Sequence, residues 1–412
     1  MSIELFGGNR MKILQINSVC GVGSTGRIAT DLYKVLVEQG HDCVIAYGRV
    51  SAPSGIKTIK IGSNIDNYMH VLKTRVFDKH GFGSTKATKE LIRQVKRYDP
   101  DVIHLHNIHG YYIDIEILFN YLKQANKPIV WTLHDCWAFT GHCSYFDYVG
   151  CNKWKKGCYD CPEKKTYPTS KFMDNSKINY EKKKDIFTGV KNLTIVTPSK
   201  WLQKLVKKSF LSKYPVEVIN NGVDLDVFKP VKSIFRVNYN IERKFIILGI
   251  ASEWNRRKGL KYFIELNDKL MEDEKIVLVG LTEQQKKELP QNIIGITRTN
   301  NLNELVAVYS AADVFINTTL EDNFPTTNIE ALACGTPVIT FDTGGSGESI
   351  NTKHSYVVEK ENINELLFSI RSMKEKNKID ETLFRSDAEK YFNKYDRSLD
   401  YIKLYTDFLA NS

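Results

Sequence analysis

At 412 residues, 42% of them hydrophobic and 26% charged, the chain has the makeup of a soluble globular protein and exceeds what one core usually holds, so two domains are expected. No apolar run approaches the ~20 residues of a bilayer-spanning helix, and the first ten residues lack the apolar centre of an export signal, which makes the cytoplasm the expected compartment. Lysine and arginine exceed aspartate and glutamate by 58 − 48 = +10, a sign that suits nucleotide diphosphates or anionic headgroups and equally serves plain solubility.

Met11-Lys12-Ile13-Leu14 reads as a natural start, with residues 1–10 an upstream extension. Residues 12–17 form a short apolar strand pattern. A glycine-rich turn follows, Gly21-Val22-Gly23-Ser24-Thr25-Gly26, then a helix with Ile28, Leu32, Val35 and Leu36 on one face and a strand at 44–47. The turn matches G-x-G-x-x-G, as an NAD(P)-dependent oxidoreductase would require. Two details oppose that reading: three residues separate strand from first glycine, and the second strand ends in Gly48-Arg49 where an acid for the ribose belongs. Residues 57–98 mix Lys73, Arg75, Lys79 and Lys89 with apolar positions and read as solvated surface, although Phe77, Phe82 and the glycines around Gly81 also suggest a loop that meets acceptor or membrane.

Strand patterns at 102–106 and 129–133 place His134-Asp135 at a strand's carboxyl end, the favoured position for chemistry in an open α/β sheet. His104, His106 and His109 compete with His134 for that role. Cys143, Cys151, Cys158 and Cys161 then fall within nineteen residues. In a reducing compartment such clustering favours a closed structural zinc site over disulfides, although the spacing is looser than in a two-knuckle site. Residues 153–184 interleave lysines with Trp154, Tyr159, Tyr167, Phe172 and Tyr180. No nucleic-acid-reading module surrounds them, so no nucleic acid partner is expected, and a basic surface beside an anionic membrane fits better.

Further strand patterns occur at 193–196, 216–219, 245–250, 276–280, 293–296, 313–317 and 338–341. Between the last two, residues 320–337 (LEDNFPTTNIEALACGTP) read as a loop turning into a helix. Thr327-Asn328-Ile329-Glu330 fits a capping box, Gly335 a left-handed C′ residue, and Pro337 a stop. A helix N-terminus opening at a strand end is where an α/β sheet holds phosphate. Asp322 and Glu330 flank this mouth; on spacing alone, Glu330 could equally serve only as its helix's cap.

The acid-x7-Glu spacing, the Asn-Phe-Pro insert and the trailing Glu-Ala-Leu-Ala-Cys-Gly-Thr-Pro resemble the donor-site signature of retaining GT-B glycosyltransferases of the family 4 type. That family has Glu at the first acid, whereas this chain has Asp322 preceded by Glu321, which leaves open which acid faces the sugar. The resemblance spans nearly the whole chain from Met11. It includes Asn221-Gly222-Val223-Asp224-x-Asp226-x-Phe228-x-Pro230, similar to the family's interdomain connection, so Asp224 and Asp226 are not read as a metal motif.

The resemblance implies two Rossmann-like α/β domains facing each other across a cleft. Residues 11–222 would bind acceptor, with the Cys-cluster insertion at 143–161; residues 223–390 would bind the nucleotide sugar; and 391–412 would form a helix crossing back onto the N-terminal domain. It implies transfer of a sugar from a nucleotide diphosphate, UDP favoured, to a saccharide or lipid-linked saccharide with retention of configuration. Capsule, exopolysaccharide or O-antigen assembly is the setting, at the inner face of the membrane, and no catalytic metal is expected. By the same resemblance His134 and Asp322 orient the sugar, Glu330 holds the ribose, and Lys258 and Arg257 neutralise the diphosphate. Thr326, Thr327 and Asn328 offer it amides and hydroxyls, and Gly23 and Gly26 let substrate approach the backbone. A nucleotide-sugar epimerase of the same fold is the chief rival, with the oxidoreductase behind it.

Overall fold

The computed structural model describes residues 10–350, 355–376 and 380–410; the stretch read as an upstream extension lies outside the described residues except for Arg10. Seven strands make the first sheet: β1 (Lys12–Val19), β2 (Asp42–Arg49), β3 (Thr58–Lys60), β4 (Val102–Leu105), β5 (Ile129–Thr132), β6 (Leu193–Thr197) and β7 (Val216–Val218). Six make the second: β8 (Phe245–Ile250), β9 (Glu274–Val279), β10 (Ile293–Ile296), β11 (Val314–Asn317), β12 (Val338–Phe341) and β13 (Tyr356–Val358). Every pairing is parallel. Parallel strands carry helices on both faces, and β4, β5, β6, β11 and β12 are accordingly buried along their whole length.

The orders are β3-β2-β1-β4-β5-β6-β7 and β10-β9-β8-β11-β12-β13. Each sheet therefore reverses its winding once, between β1 and β4 in the first and between β8 and β11 in the second. Helices leave to opposite faces at such a point, opening a crevice beyond the carboxyl ends of the two strands.

The chain divides after Asn220, two residues before the expected boundary, and Asn221–Lys394 forms the second unit. From Tyr395 onward the chain belongs to the first unit. There the helix Lys394–Ala410 contributes Tyr401, Ile402 and Tyr405 to a core with Ile13, Leu32, Leu36 and Val102. Tyr405 Oη lies 2.6 Å from His104 Nδ1, and Tyr401 Oη 3.0 Å from Thr132 Oγ1.

The stretch 57–98, expected to be solvated surface with a loop around Gly81, holds strand β3 and two helices, Asn64–Phe77 and Thr85–Tyr98, with that loop between the helices. Ser63 and Asp66 close a reciprocal capping box that starts the first of them. The basic stretch 153–184 is also not wholly a surface. Lys183 points inward from the helix Ser176–Phe187 and donates to the carbonyls of Trp137 (2.8 Å) and Thr140 (3.0 Å). Burial draws its pKa down to about 7.

Candidate functional site

In the second unit, two segments meet beyond the switch between β8 and β11. After β8, Asn255 accepts hydrogen bonds from the amides of Arg257 and Lys258 and so caps the short turn Arg256–Lys258. Gly259 ends that turn at φ +74°, and a Cβ there would stand 2.3 Å from the Thr318 carbonyl. After β11, Leu320 donates to the Arg257 carbonyl at 2.8 Å and Thr318 Oγ1 to the Lys258 carbonyl at 3.1 Å. These bonds lace the loops together and set Lys258 Nζ 2.6 Å from Asp322 Oδ2. Of the two adjacent acids, it is Asp322 whose carboxylate meets the lysine. Burial would raise the Asp322 pKa, but the Lys258 and Arg257 charges hold it below the usual carboxylate range. Burial lowers the Lys258 pKa, with Asp322 opposing. Arg257 Nη1 donates to the Glu321 carbonyl at 2.9 Å and so braces the same loop. The glycine turn at 344–345 supports it from the other side. Gly345 donates to the Asp322 carbonyl at 3.1 Å, and a Cβ on Gly344, at φ +57°, would sit 1.8 Å from that oxygen.

The helix Thr326–Ala333 opens beside this pair with Pro325 as N-cap and no side-chain cap. Its first amides, those of Thr326 and Thr327, thus carry the positive end of the helix dipole without a capping oxygen. The capping box expected of Thr327 and Glu330 does not form. The helix starts two residues earlier, at Thr326, which places Glu330 fifth in it and past the first turn. Glu330 is buried, and its Oε2 accepts from Tyr309 Oη at 3.1 Å. Asn328, by contrast, is not turned to a ligand: its side chain is fully buried, accepting from Asn317 Nδ2 at 2.8 Å and donating to Ser349 Oγ at 2.9 Å. It braces the helix against β11. The helix closes as expected: Gly335 at φ +79° donates to Leu332 and Thr336 to Ala331, a Schellman motif.

In the first unit, the switch between β1 and β4 is lined by imidazoles. Gln15 donates from Nε2 to the Ala29 carbonyl at 3.1 Å, so its Oε1 accepts from His106 Nε2 at 3.0 Å. His106 Nδ1 lies 3.2 Å from His134 Nε2, with the two rings stacked. Burial lowers the His106 pKa far and that of His134 to about 4, so both are neutral at pH 7. The tautomers then follow from the network: His106 carries its proton on Nε2, His134 carries its own on Nε2, and His134 Nδ1 keeps the lone pair. A ring held this way accepts from a hydroxyl. His104 is committed to Thr132 and Tyr405, and His109 to Asp135 Oδ2 (3.0 Å) and Tyr167. Neither competes with His134. Sequence reasoning missed the Gln15–His106 support; its only signal is a polar residue inside each of two apolar strands.

Gly26 is not at a ligand surface. It is buried in the helix Gly23–Glu38, where a Cβ would press on Val19 at 3.1 Å, whereas Gly23 is exposed at the helix start. Cys143, Cys151, Cys158 and Cys161 line one pocket with Phe146 and Trp154, and Gly141 donates its amide to Cys158 Sγ at 3.2 Å. Among the described residues no three His, Cys, Asp or Glu side chains stand together in a metal-holding arrangement. Asp224 is taken by Lys394 at 2.5 Å and by the amides of Asp226 and Val227.

Comparison with known proteins follows the same division. Residues 25–227 match the model of glycosyltransferase family 4, and residues 231–391 that of the group 1 glycosyl transferases. The colanic acid biosynthesis glycosyl transferase WcaC of Escherichia coli (strain K12) is 26% identical over 383 residues, 87% of this chain and 89% of that protein. Sucrose-phosphate synthase of Thermosynechococcus elongatus superposes over 98% of this chain and 100% of its own with a TM-score of 0.73 at 17% identity. HepE of Anabaena, solved in complex with UDP-glucose, does so over 98% and 100% with a TM-score of 0.66 at 14% identity. These superpositions establish the fold as GT-B, two Rossmann-like units with parallel sheets.

Proposed function

This chain belongs to the glycosyltransferases of group 1 and family 4, and we infer that it moves a sugar from a nucleoside diphosphate, UDP foremost, to a saccharide or lipid-linked saccharide hydroxyl with retention of configuration. The observation that carries this is the Lys258–Asp322 pair, laced by backbone bonds beside an uncapped helix N-terminus at the switch point of the second sheet. A diphosphate placed there meets the Lys258 ammonium, the Arg257 guanidinium and the amides of Thr326 and Thr327. Charge developing on the leaving group is then stabilised by groups already fixed in place. Asp322 holds the ammonium in position and orients the sugar, while the buried Glu330 carboxylate, steadied by Tyr309, accepts from the ribose hydroxyls. In the first unit, the His134 Nδ1 lone pair serves as acceptor for a substrate hydroxyl. The departing diphosphate takes the proton of the acceptor hydroxyl, so the new bond forms on the face the leaving group vacates. The similarity to WcaC supports a role in polysaccharide assembly, and HepE, solved with UDP-glucose, supports a uridine donor. We place the reaction in the cytoplasm; no helix among the described residues is long and apolar enough to cross a membrane.

Thermal shift with UDP, GDP, ADP, CMP and NADPH in the absence of divalent metal tests the reading, because a ligand raises stability only by binding the folded state. UDP is expected to raise Tm, and NMR of the product made from an α-linked donor to show an α linkage. Stabilisation by NADPH alone would restore the oxidoreductase, and conversion of the donor sugar without acceptor would restore the epimerase.

A further inference from the structure

The helix Asn64–Phe77 is amphipathic in the wrong sense for a helix facing water. Its buried positions are polar, His70 and Thr74, with His70 Nδ1 on Ser84 Oγ at 3.0 Å and its Nε2 accepting from the Gly81 amide at 3.2 Å. Its apolar stripe points outward: Ile65, Tyr68, Met69 and Leu72 are 74%, 75%, 60% and 54% exposed, at the i, i+3, i+4, i+7 spacing of one helix face. Water disfavours that arrangement, so the fold keeps an apolar surface for something else.

The stripe continues beyond the helix. The segment 171–175 is tied to the helix end by Lys171 donating to the Arg75 carbonyl (2.8 Å) and Asn175 Nδ2 to that of Phe77 (2.6 Å). This brings Phe172 and Met173, both exposed, beside exposed Phe77. An open groove of about 550 Å³ between Met69, Leu72 and Phe77 is rimmed by Lys73, Lys79 and Lys86, and Arg75 and Lys171 are exposed close by. Of the acids here, Asp78 is buried against His142, Asp66 on the groove wall accepts from the Ser63 amide at 2.8 Å, and the exposed Asp174 accepts from that of Cys161 at 2.6 Å. Lys73, Arg75, Lys79, Lys86 and Lys171 outnumber the two acids that are not buried, so the surface is apolar at its centre and net cationic around its edge.

We propose that this face of the first unit docks on the surface of an anionic lipid bilayer. The helix Asn64–Phe77 would lie in the interface plane, with Ile65, Tyr68, Met69, Leu72 and Phe172 inserted among the acyl chains and the lysines at the phosphates. Apolar burial and attraction to anionic headgroups are the two contributions that such binding requires, and each alone is marginal. A snorkelling lysine edge around an apolar centre supplies both. The inference goes beyond the transfer reaction and does not depend on it.

Flotation of the full chain with phosphatidylcholine vesicles, with and without about 30% phosphatidylglycerol, tests it in the absence of donor and acceptor. Binding is expected only to the anionic vesicles and should weaken with salt. The double variant Ile65→Asp/Leu72→Asp should lower it about tenfold or more, and Lys79→Glu/Lys171→Glu should remove the dependence on phosphatidylglycerol. These side chains are exposed, so the far-UV spectrum and Tm should be unchanged. Absence of binding to anionic vesicles would overturn the proposal, as would equal binding by the Ile65→Asp/Leu72→Asp variant. A dimer that this variant dissociates, with no vesicle binding by either protein, would assign the stripe to self-association instead. UDP stabilisation in the same variants reports on the transfer site separately, so the two readings fail independently.

Discussion

The two sheets present opposite chemistry at equivalent places. Beyond the β8/β11 switch stand full charges, Lys258 against Asp322 with Arg257 alongside. Beyond the β1/β4 switch stands a chain of neutral polar groups, Gln15, His106 and His134. Burial acts on both but meets opposition in only one. The Lys258 and Arg257 charges keep Asp322 ionised in spite of burial, whereas nothing nearby sustains a charge on His106, which stays neutral. Topology thus supplies the place and the local partners decide the chemistry. A charged cluster suits a diphosphate, and a lone-pair nitrogen fixed by a relay suits a hydroxyl.

Lys258→Ala tests the charged side most strongly and should lower kcat/KM about 10²- to 10³-fold. It also strands Asp322, so stability should fall by about 1–3 kcal/mol. The double variant Lys258→Ala/Asp322→Ala should recover most of that stability and none of the activity. Recovery of activity together with stability would reduce the pair to a structural salt bridge. Glu330→Gln comes next. It retains an acceptor for Tyr309 Oη and removes the charge, so about a 10- to 100-fold loss in kcat/KM with little change in Tm is expected. A large fall in Tm with normal kcat/KM would give Glu330 a purely structural role.

The strands were legible in the sequence because sheets covered on both faces require continuous apolar runs, as at Ile129-Val130-Trp131-Thr132 and Val314-Phe315-Ile316. The strands missed are the edge pieces, Thr58–Lys60 and Tyr356–Val358, too short and too exposed to show a run. The helix Asn64–Phe77 was hidden for a different reason: its inward face is His70 and Thr74, so its periodicity reads as surface. In the site, Lys258 was legible from its place before Gly259. Choosing Asp322 over Glu321 was not, because neighbouring acids on a loop differ only in where the backbone aims them. Thr327 and Glu330 have the spacing of a capping box, but Pro325 starts the helix two residues early and Glu330 passes to Tyr309. The cysteine spacing did report proximity, since all four thiols line one pocket.

The contrast between the two regions also predicts a difference in acid stability. Eight of the nine histidines lie in the first unit, as do Trp131, Trp137, Trp154 and Trp201 of the five tryptophans. Burial lowers His70 and His104 to about 3 and His134 to about 4, below the ordinary 6.5 they regain on unfolding. Between those values the unfolded chain binds more protons than the folded one. Stability is therefore lost as pH falls from about 6.5 towards 4, by up to about 1.4 kcal/mol per pH unit for each such histidine. Tryptophan fluorescence, which reports mainly the first unit, should show Tm falling steeply from pH 7 to 5. A flat profile would mean that these imidazoles are not neutral and buried.

The smallest effect expected is the most specific to the neutral side. Gln15→Met removes the acceptor for His106 Nε2–H at similar volume, so His106 can carry its proton on either nitrogen and no longer fixes His134. Losing one buried hydrogen bond should cost about 1 kcal/mol of stability. The lost tautomer preference should lower kcat about 3- to 10-fold, with KM for the donor less affected, since the nucleotide contacts lie in the second unit. Stability alone cannot separate this from a packing defect, so the decisive reading is the ¹⁵N spectrum of the imidazoles. In the parent protein His134 Nδ1 should resonate as a lone-pair nitrogen. In Gln15→Met that signal should move towards the average of the two tautomers. An unchanged His134 tautomer with a reduced kcat would show that Gln15 acts by packing and that the relay does not set the acceptor nitrogen.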